Sequence, residues 1–182
     1  VLVLADYDPG NANVISDFLY SFDRYSVHNY YYAFWPRNLE QEFELNNFDV
    51  IIIFWSIYFP APPGNEPSFN AFFIEKMRKS KALKILFKQD EYVYINQLNI
   101  LMDQAGINLM FTCIKEEYHD IFYSSNKISS LKGVNTVLTG YVPNYLTKNR
   151  FLKRKKVSID IGYRSRRVSY ALGILGYEKS II

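Results

Sequence analysis

Apolar residues along this chain fall into short continuous runs, separated by stretches in which they recur at helical spacing. Val1–Ala5 reads as a strand, and so does Asp49–Trp55 (Asp-Val-Ile-Ile-Ile-Phe-Trp), the most apolar segment present. Leu83–Lys88, Asn108–Cys113 and Val134–Thr139 are further runs of strand-forming residues, and Val27–Ala33, with three consecutive tyrosines, completes the set. Short runs without polar alternation are the mark of strands buried on both faces of a parallel sheet. Between them, Val14, Ile15, Phe18, Leu19 and Phe22 form one helical face behind Asn11 and Asn13, either of which can cap the helix. Phe69–Lys79, Val93–Gln104 and Lys115–Tyr123 read as helices, with Gly106 standing just past an end, where a left-handed residue closes a helix. Residues 37–47 read as a short polar helix or loop, and Ser56–Ser68, with four prolines and one glycine, as a loop.

Strands separated by helices of this length imply βαβ units with right-handed crossovers. The chain therefore predicts an α/β protein: a three-layer, Rossmann-like parallel sheet of about six strands in the order 2-1-3-4-5-6. This domain is expected over residues 1–146, with residues 147–182 forming a basic connector and the start of a second domain. In that strand order the winding reverses between strands one and three, which opens a crevice at their carboxyl ends. The residues delivered to it are the turn Asp6–Asn13, the segment Trp55–Tyr58 and, from the next strand over, Gln89-Asp90-Glu91.

Composition narrows the class. A hydrophobic content of 49% with 21% charged residues describes a globular chain. Sixteen Tyr and fourteen Phe occur in nearly every segment, so they read first as core filler rather than as a sugar-stacking platform. No apolar run approaches the ~20 residues that span a bilayer, and the start, Val-Leu-Val-Leu-Ala-Asp, has neither the basic flank of a signal peptide nor a Met, which points to a trimmed or partial chain. Cys113 is the sole cysteine, so no intramolecular disulfide forms and a cytoplasmic, reducing location is expected. His28 and His119 lack metal-ligand spacing and read as ordinary residues. The net charge of +3 hides an asymmetry: residues 148–182 hold ten of the 21 Lys and Arg but only two of the 18 acidic residues. A basic tail on an acidic body commonly meets phosphate on a nucleotide, a lipid surface or a nucleic acid.

Candidate chemistry lies at the strand ends. Asp6-Tyr7-Asp8 spells the D-x-D with which metal-dependent glycosyltransferases hold a divalent ion, but only one strand precedes it, so it reads as a chance match and no metal site is expected. As a phosphate loop the same turn has one glycine and neither a Walker lysine nor G-x-G-x-x-G, and its carboxylates would repel phosphate. They suit a hydroxyl-rich neutral ligand. In Gln89-Asp90-Glu91-Tyr92, Asp90 or Glu91 can act as general base or orient a sugar hydroxyl, with Tyr92 as a stacking wall; equally, the acids can simply open the following helix. A response-regulator receiver is excluded because Phe54 and Trp55 stand where its phosphoacceptor belongs, and a flavodoxin because the first turn lacks a Ser/Thr-rich phosphate loop. Lys148–Lys156 reads as a solvated charge run or a contact to an anionic membrane surface, with no specific nucleic-acid signature. Arg164 and Arg166, clustered past a short apolar run, can clamp a diphosphate or carboxylate bidentately.

Taken together, Asp8-Pro9-x-Asn11-Ala12, Gln89-Asp90-Glu91-Tyr92, Phe111-Thr112-Cys113, Leu138-Thr139-Gly140-Tyr141-Val142-Pro143, Asp160-Ile161-Gly162-Tyr163-Arg164-x-Arg166 and the pattern from Tyr170 to Lys179 resemble the N-terminal half of bacterial GT-B-class glycosyltransferase-like proteins near the retaining family 4. The resemblance implies an acceptor-side domain whose partner, a C-terminal donor domain, is missing here. It implies transfer of sugar from a nucleotide-sugar to a saccharide or lipid-linked acceptor, as in polysaccharide biosynthesis, with no tightly bound cofactor and no metal. Asp8, Asn11, Ser56, Tyr58, Gln89, Asp90 and Glu91 are then the expected acceptor contacts, Asp90 and Glu91 the catalytic candidates, and Arg164 and Arg166 the contacts to donor diphosphate. The isolated chain is expected to be inactive, and Lys148–Lys156 to touch the inner face of the membrane. The alternative expectation is a non-catalytic Rossmann-like module that binds carbohydrate or protein.

Overall fold

Along the chain run β1 (Leu2–Ala5), α1 (Asn13–Tyr25), β2 (Tyr31–Phe34), β3 (Val50–Ile53), α2 (Ala71–Lys79), β4 (Leu83–Phe87), α3 (Ile95–Ala105), β5 (Leu109–Thr112), α4 (His119–Phe122) and β6 (Gly133–Thr136), with short 3-10 turns at Leu45–Asn47 and Glu116–Tyr118. The computed structural model describes residues 1–8, 13–34, 44–60, 68–89, 91, 94–123 and 126–138. The expected connector over 147–182 lies outside them. All six strands are parallel, and their order is β2-β1-β3-β4-β5-β6, the order that the sequence predicts.

β1 pairs with β2 on one side and β3 on the other, and its four residues are at most 1% exposed. Alternate side chains divide between two layers. Leu2 and Leu4, with Ile51, Ile53, Leu86 and Met110, pack beneath Phe73 and Met77 of α2 and Leu98 and Met102 of α3. Val3, Ala5, Ile52 and Phe54 face the other way, against Leu19 and the half-buried Ile15, Phe18 and Phe22 of α1. A strand buried on both faces reads as one apolar run, which is why β1 and β3 stand out in the sequence.

The helix ends follow from single residues. Asn70 caps α2, its side-chain oxygen accepting the Phe73 N–H at 2.8 Å. Gly106 closes α3 in the left-handed region at φ 71°, and a Cβ added there would sit 3.3 Å from Cε of Lys84. Lys84 is itself an exception to the apolar interior. Its buried ammonium donates to the Ser80 and Ala82 carbonyls at 2.9 and 3.0 Å, the first of them at the end of α2. Burial, and then the charge of Lys132, hold its pKa below the ordinary value.

Most element boundaries shift by a residue or two from those the sequence predicts, and three elements differ by more. β2 begins at Tyr31 rather than Val27, which is 97% exposed. It is an edge strand among the described residues, paired with β1 from Leu2↔Tyr31 to Ala5↔Phe34, and the Asn29 carbonyl just before it accepts the Val1 amino group at 2.9 Å. β6 ends at Thr136 because β5, its neighbour, is only four residues long, although the Val137 N–H still donates to the Thr112 carbonyl at 2.8 Å. The helix expected over Lys115–Tyr123 is a 3-10 turn followed by the four-residue α4.

The turn that leads toward β6 is clamped by Asp103 near the end of α3, whose carboxylate accepts the Ser129 hydroxyl at 2.7 Å and the Ser129 N–H at 2.8 Å. The Ser129 hydroxyl, followed by its N–H, lowers the Asp103 pKa from 3.8; burial opposes this, and Arg78 adds a smaller lowering. A depressed carboxylate pKa contributes stability that is complete above the unfolded value and lost as pH falls through the folded one. Asp103→Asn should therefore lower stability at pH 7 by about 1 kcal/mol. The gap to the parent protein should close as pH drops below 3.8, as urea midpoints across that range will reveal. A pH-independent gap would mean that the charge contributes nothing.

Candidate functional site

The polar residues leaving the sheet gather at the carboxyl ends of β1, β3 and β4, beside the point where the strand order reverses. After β1 come Asp6 and Asp8, both exposed, and Tyr7, whose half-buried ring lies 4.9 Å from that of Phe34. The Asp6 N–H donates to the Ser56 hydroxyl at 3.1 Å, which ties the first turn to the one after β3. That second turn is built on buried anchors. The Phe54 N–H extends the ladder to the Leu4 carbonyl at 2.9 Å, and the Ile57 N–H bonds back to the Phe54 carbonyl at 3.0 Å. With Phe54, Ile57 and Phe59 buried and a cis peptide joining Phe59 to Pro60, the intervening residues point outward: Ser56 is half-buried and Tyr58 is 63% exposed. The Trp55 indole nitrogen is buried here without a hydrogen-bond partner among the described residues.

After β4 the chain behaves differently. The Lys88 N–H still bonds to the Phe111 carbonyl at 2.9 Å, and Gln89 is half-buried at the strand end. Glu91 then turns inward and is only 2% exposed. One of its carboxylate oxygens accepts the Thr112 hydroxyl and, at 3.4 Å, the Cys113 N–H, both at the end of β5. The Tyr123 hydroxyl is buried in the same place without a well-formed hydrogen bond. Burial first, and the neighbouring Glu91 charge second, push its pKa far above the ordinary value, so it stays protonated. Three residues after Glu91, Tyr94 enters α3 in the left-handed region at φ 59°, a conformation that costs a non-glycine residue about 1 kcal/mol or more. Between β4 and α3, Glu91 thus ties the chain to the end of β5.

Of the residues expected at this site, the structure places Asp8, Ser56, Tyr58 and Gln89 at the carboxyl ends of the strands and brings the Ser56 hydroxyl onto the first turn. Glu91 is placed beneath the loop, bonded to β5 rather than presented to solvent. Asn11, Asp90, Arg164 and Arg166, like Lys148–Lys156, lie outside the described residues. Thr112 and Tyr123, which complete the Glu91 cluster, were not singled out from the sequence as site residues. The available signal was a threonine closing a buried strand, which a neighbouring acid can accept from. Among the described residues no three His, Cys, Asp or Glu side chains gather as metal ligands would, and no helix is long and apolar enough to cross a membrane.

Fold and strand-end geometry define an α/β protein with a doubly wound parallel sheet and a polar rim at its switch point. Comparison with family models, curated proteins and solved structures found no match to this chain.

The Glu91 clamp makes a direct prediction. Glu91→Ala leaves the Thr112 hydroxyl and the Cys113 N–H without their acceptor and should cost about 2–3 kcal/mol. Glu91→Gln keeps an acceptor of the same reach and removes a buried charge, so it should cost less than about 1 kcal/mol. Chemical denaturation of the two variants decides between them. Equal losses would mean that the carboxylate charge, rather than its acceptor oxygen, holds the loop.

Proposed function

We propose that this chain is the acceptor-side domain of a GT-B-class glycosyltransferase, working with a C-terminal donor domain to move sugar from a nucleotide-sugar to a saccharide or lipid-linked acceptor. The observation that supports this most is the switch-point rim, where Ser56 and Tyr58 stand outward between the buried anchors Phe54, Ile57 and Phe59. Hydroxyl and carboxylate groups on a rigid sheet edge suit a ligand rich in hydroxyls, and an exposed tyrosine ring offers its face to a sugar's C–H surface. In this reading Asp8, Ser56 and Gln89 take acceptor hydroxyls, Tyr58 stacks, and Asp90 is the orienting or basic carboxylate. Glu91 acts on the acceptor only by holding the loop that carries its neighbours. Asn11 joins the first turn, Arg164 and Arg166 take the donor diphosphate, and Lys148–Lys156 meets anionic lipid at the cytoplasmic face.

A second reading is favoured by one specific observation. One of the two expected catalytic carboxylates, Glu91, is 2% exposed and engaged with β5 rather than with the rim, which suits a module that binds carbohydrate without reacting it.

Calorimetry separates these. With the isolated chain, UDP- and GDP-sugars should bind more weakly than about 1 mM, because most donor contacts belong to the other domain, whereas neutral oligosaccharides should bind, and Tyr58→Ala should reduce that binding about tenfold without lowering Tm. Micromolar affinity for a nucleotide-sugar overturns the acceptor-side assignment. In the complete enzyme Asp90→Asn should slow turnover by about 10²–10⁴; transfer activity unchanged by it would remove Asp90 from the chemistry and favour another base, and a complete protein that binds saccharide but transfers nothing supports the binding module.

A further inference from the structure

A second concavity lies away from the switch-point rim, where the 3-10 turn Glu116–Tyr118 and α4 face the start of β6. It has a volume of about 350 Å³ and is lined chiefly by Glu116, His119, Asp120, Tyr123, Lys132 and Val134. That is near the lower end of volumes that hold small-molecule ligands.

His119 decides its chemistry. The residue is 8% exposed, and its Nε2 lies 3.1 Å from the Ile114 carbonyl oxygen and 3.1 Å from the Thr136 hydroxyl. A carbonyl only accepts, so Nε2 carries the proton. The Thr136 hydroxyl donates its own hydrogen to the same carbonyl at 2.7 Å, which leaves its lone pair for the imidazole N–H. In the neutral ring the other nitrogen, Nδ1, is then an acceptor, and no donor among the described residues serves it. Glu116 and Asp120 add two exposed carboxylates, and neither forms an ion pair among the described residues. Lys132 is the single cation in the lining. Acceptors and negative charge therefore outnumber donors among the described residues, while the half-buried Leu131 and Val134 supply apolar surface.

We propose that this cavity binds a small hydroxylated primary amine, of amino-sugar or amino-alcohol size. The ammonium group lies between Glu116 and Asp120, a ligand hydroxyl donates to Nδ1 of His119, and the carbon skeleton rests on Leu131 and Val134. Exposed carboxylates attract an ammonium weakly, so affinity is of order millimolar. The assignment does not depend on the transferase reading, since it uses none of the rim residues.

Glucosamine is the probe, with glucose as the uncharged control of matching shape. Titration followed by amide chemical shifts should move the Gly133 and Val134 signals with glucosamine, and glucose should leave them in place. Because His119→Ala also breaks the bonds to Ile114 and Thr136 and can unfold the region, the deciding variant is the exposed pair Glu116→Gln/Asp120→Asn. It should leave the spectrum of the free protein folded and weaken glucosamine binding at least tenfold. Equal responses to glucosamine and glucose, no shift at Gly133 and Val134 in the folded protein, or undiminished binding by the double variant would each overturn the proposal.

Discussion

Everything in this fold depends on β1 being buried on both faces at once. Its residues, Leu2 to Ala5, are essentially without solvent contact, and each large apolar side chain so buried stabilises the fold by about 1.5–3 kcal/mol. Pairing with both β2 and β3 places β1 at the reversal of strand order, so the same strand that anchors the core also fixes where the polar rim opens. The coupling is direct: the Leu4 carbonyl that holds Phe54 is one residue from the Asp6 N–H that bonds to Ser56.

The aromatic residues make a comparable double contribution. Read from composition alone, thirty Tyr and Phe side chains are filler. Many of them instead form a continuous set of ring contacts across the α1 face of the sheet. Phe34, Tyr32, Tyr30 and Phe22 stack in turn at centroid distances of 5.6 to 6.4 Å, Phe22 meets Phe87 edge-on at 5.9 Å, and Phe87 stacks on Phe111 at 4.7 Å. Each such pair contributes about 0.5–1.5 kcal/mol beyond the area it buries. Where a ring carries a hydroxyl the partner is supplied: Tyr32 donates to Asp23 at 2.7 Å, and burial followed by that carboxylate raises its pKa. These rings are core, as composition suggests, but they also fasten the edge strand β2 to a helix, where β1 alone would hold it by one ladder.

The sequence makes the sheet legible because parallel strands write their burial as unbroken apolar runs, and the strand order follows from the helices between them. The edges are less legible. Val27 has the residue type of a strand and sits outside β2, because residue type alone does not say where a ladder begins. The rim divides in the same way. Ser56 and Tyr58 are readable from the end of β3, since the buried anchors Ile57 and Phe59 alternate with them. The inward turn of Glu91 is not readable, because its partner, Thr112, lies on a different strand, 21 residues further along the chain.

That turn bears on what the rim can do. Moving a carboxylate from water into a site without a cation costs several kcal/mol unless hydrogen bonds replace its hydration. Glu91 has no ion pair among the described residues, only the Thr112 hydroxyl and the Cys113 N–H with a protonated Tyr123 beside them. A core built for stability alone would place an apolar side chain there. Through this acceptor Glu91 instead ties the chain, two residues beyond Gln89, to the end of β5. Binding that depends on several hydroxyls being met at once gains more from such fixed placement than from any single contact, because a rigid rim loses little conformational freedom when the ligand arrives. In the acceptor-side reading proposed above, the buried acid is part of the rim's precision rather than a reactive group within it.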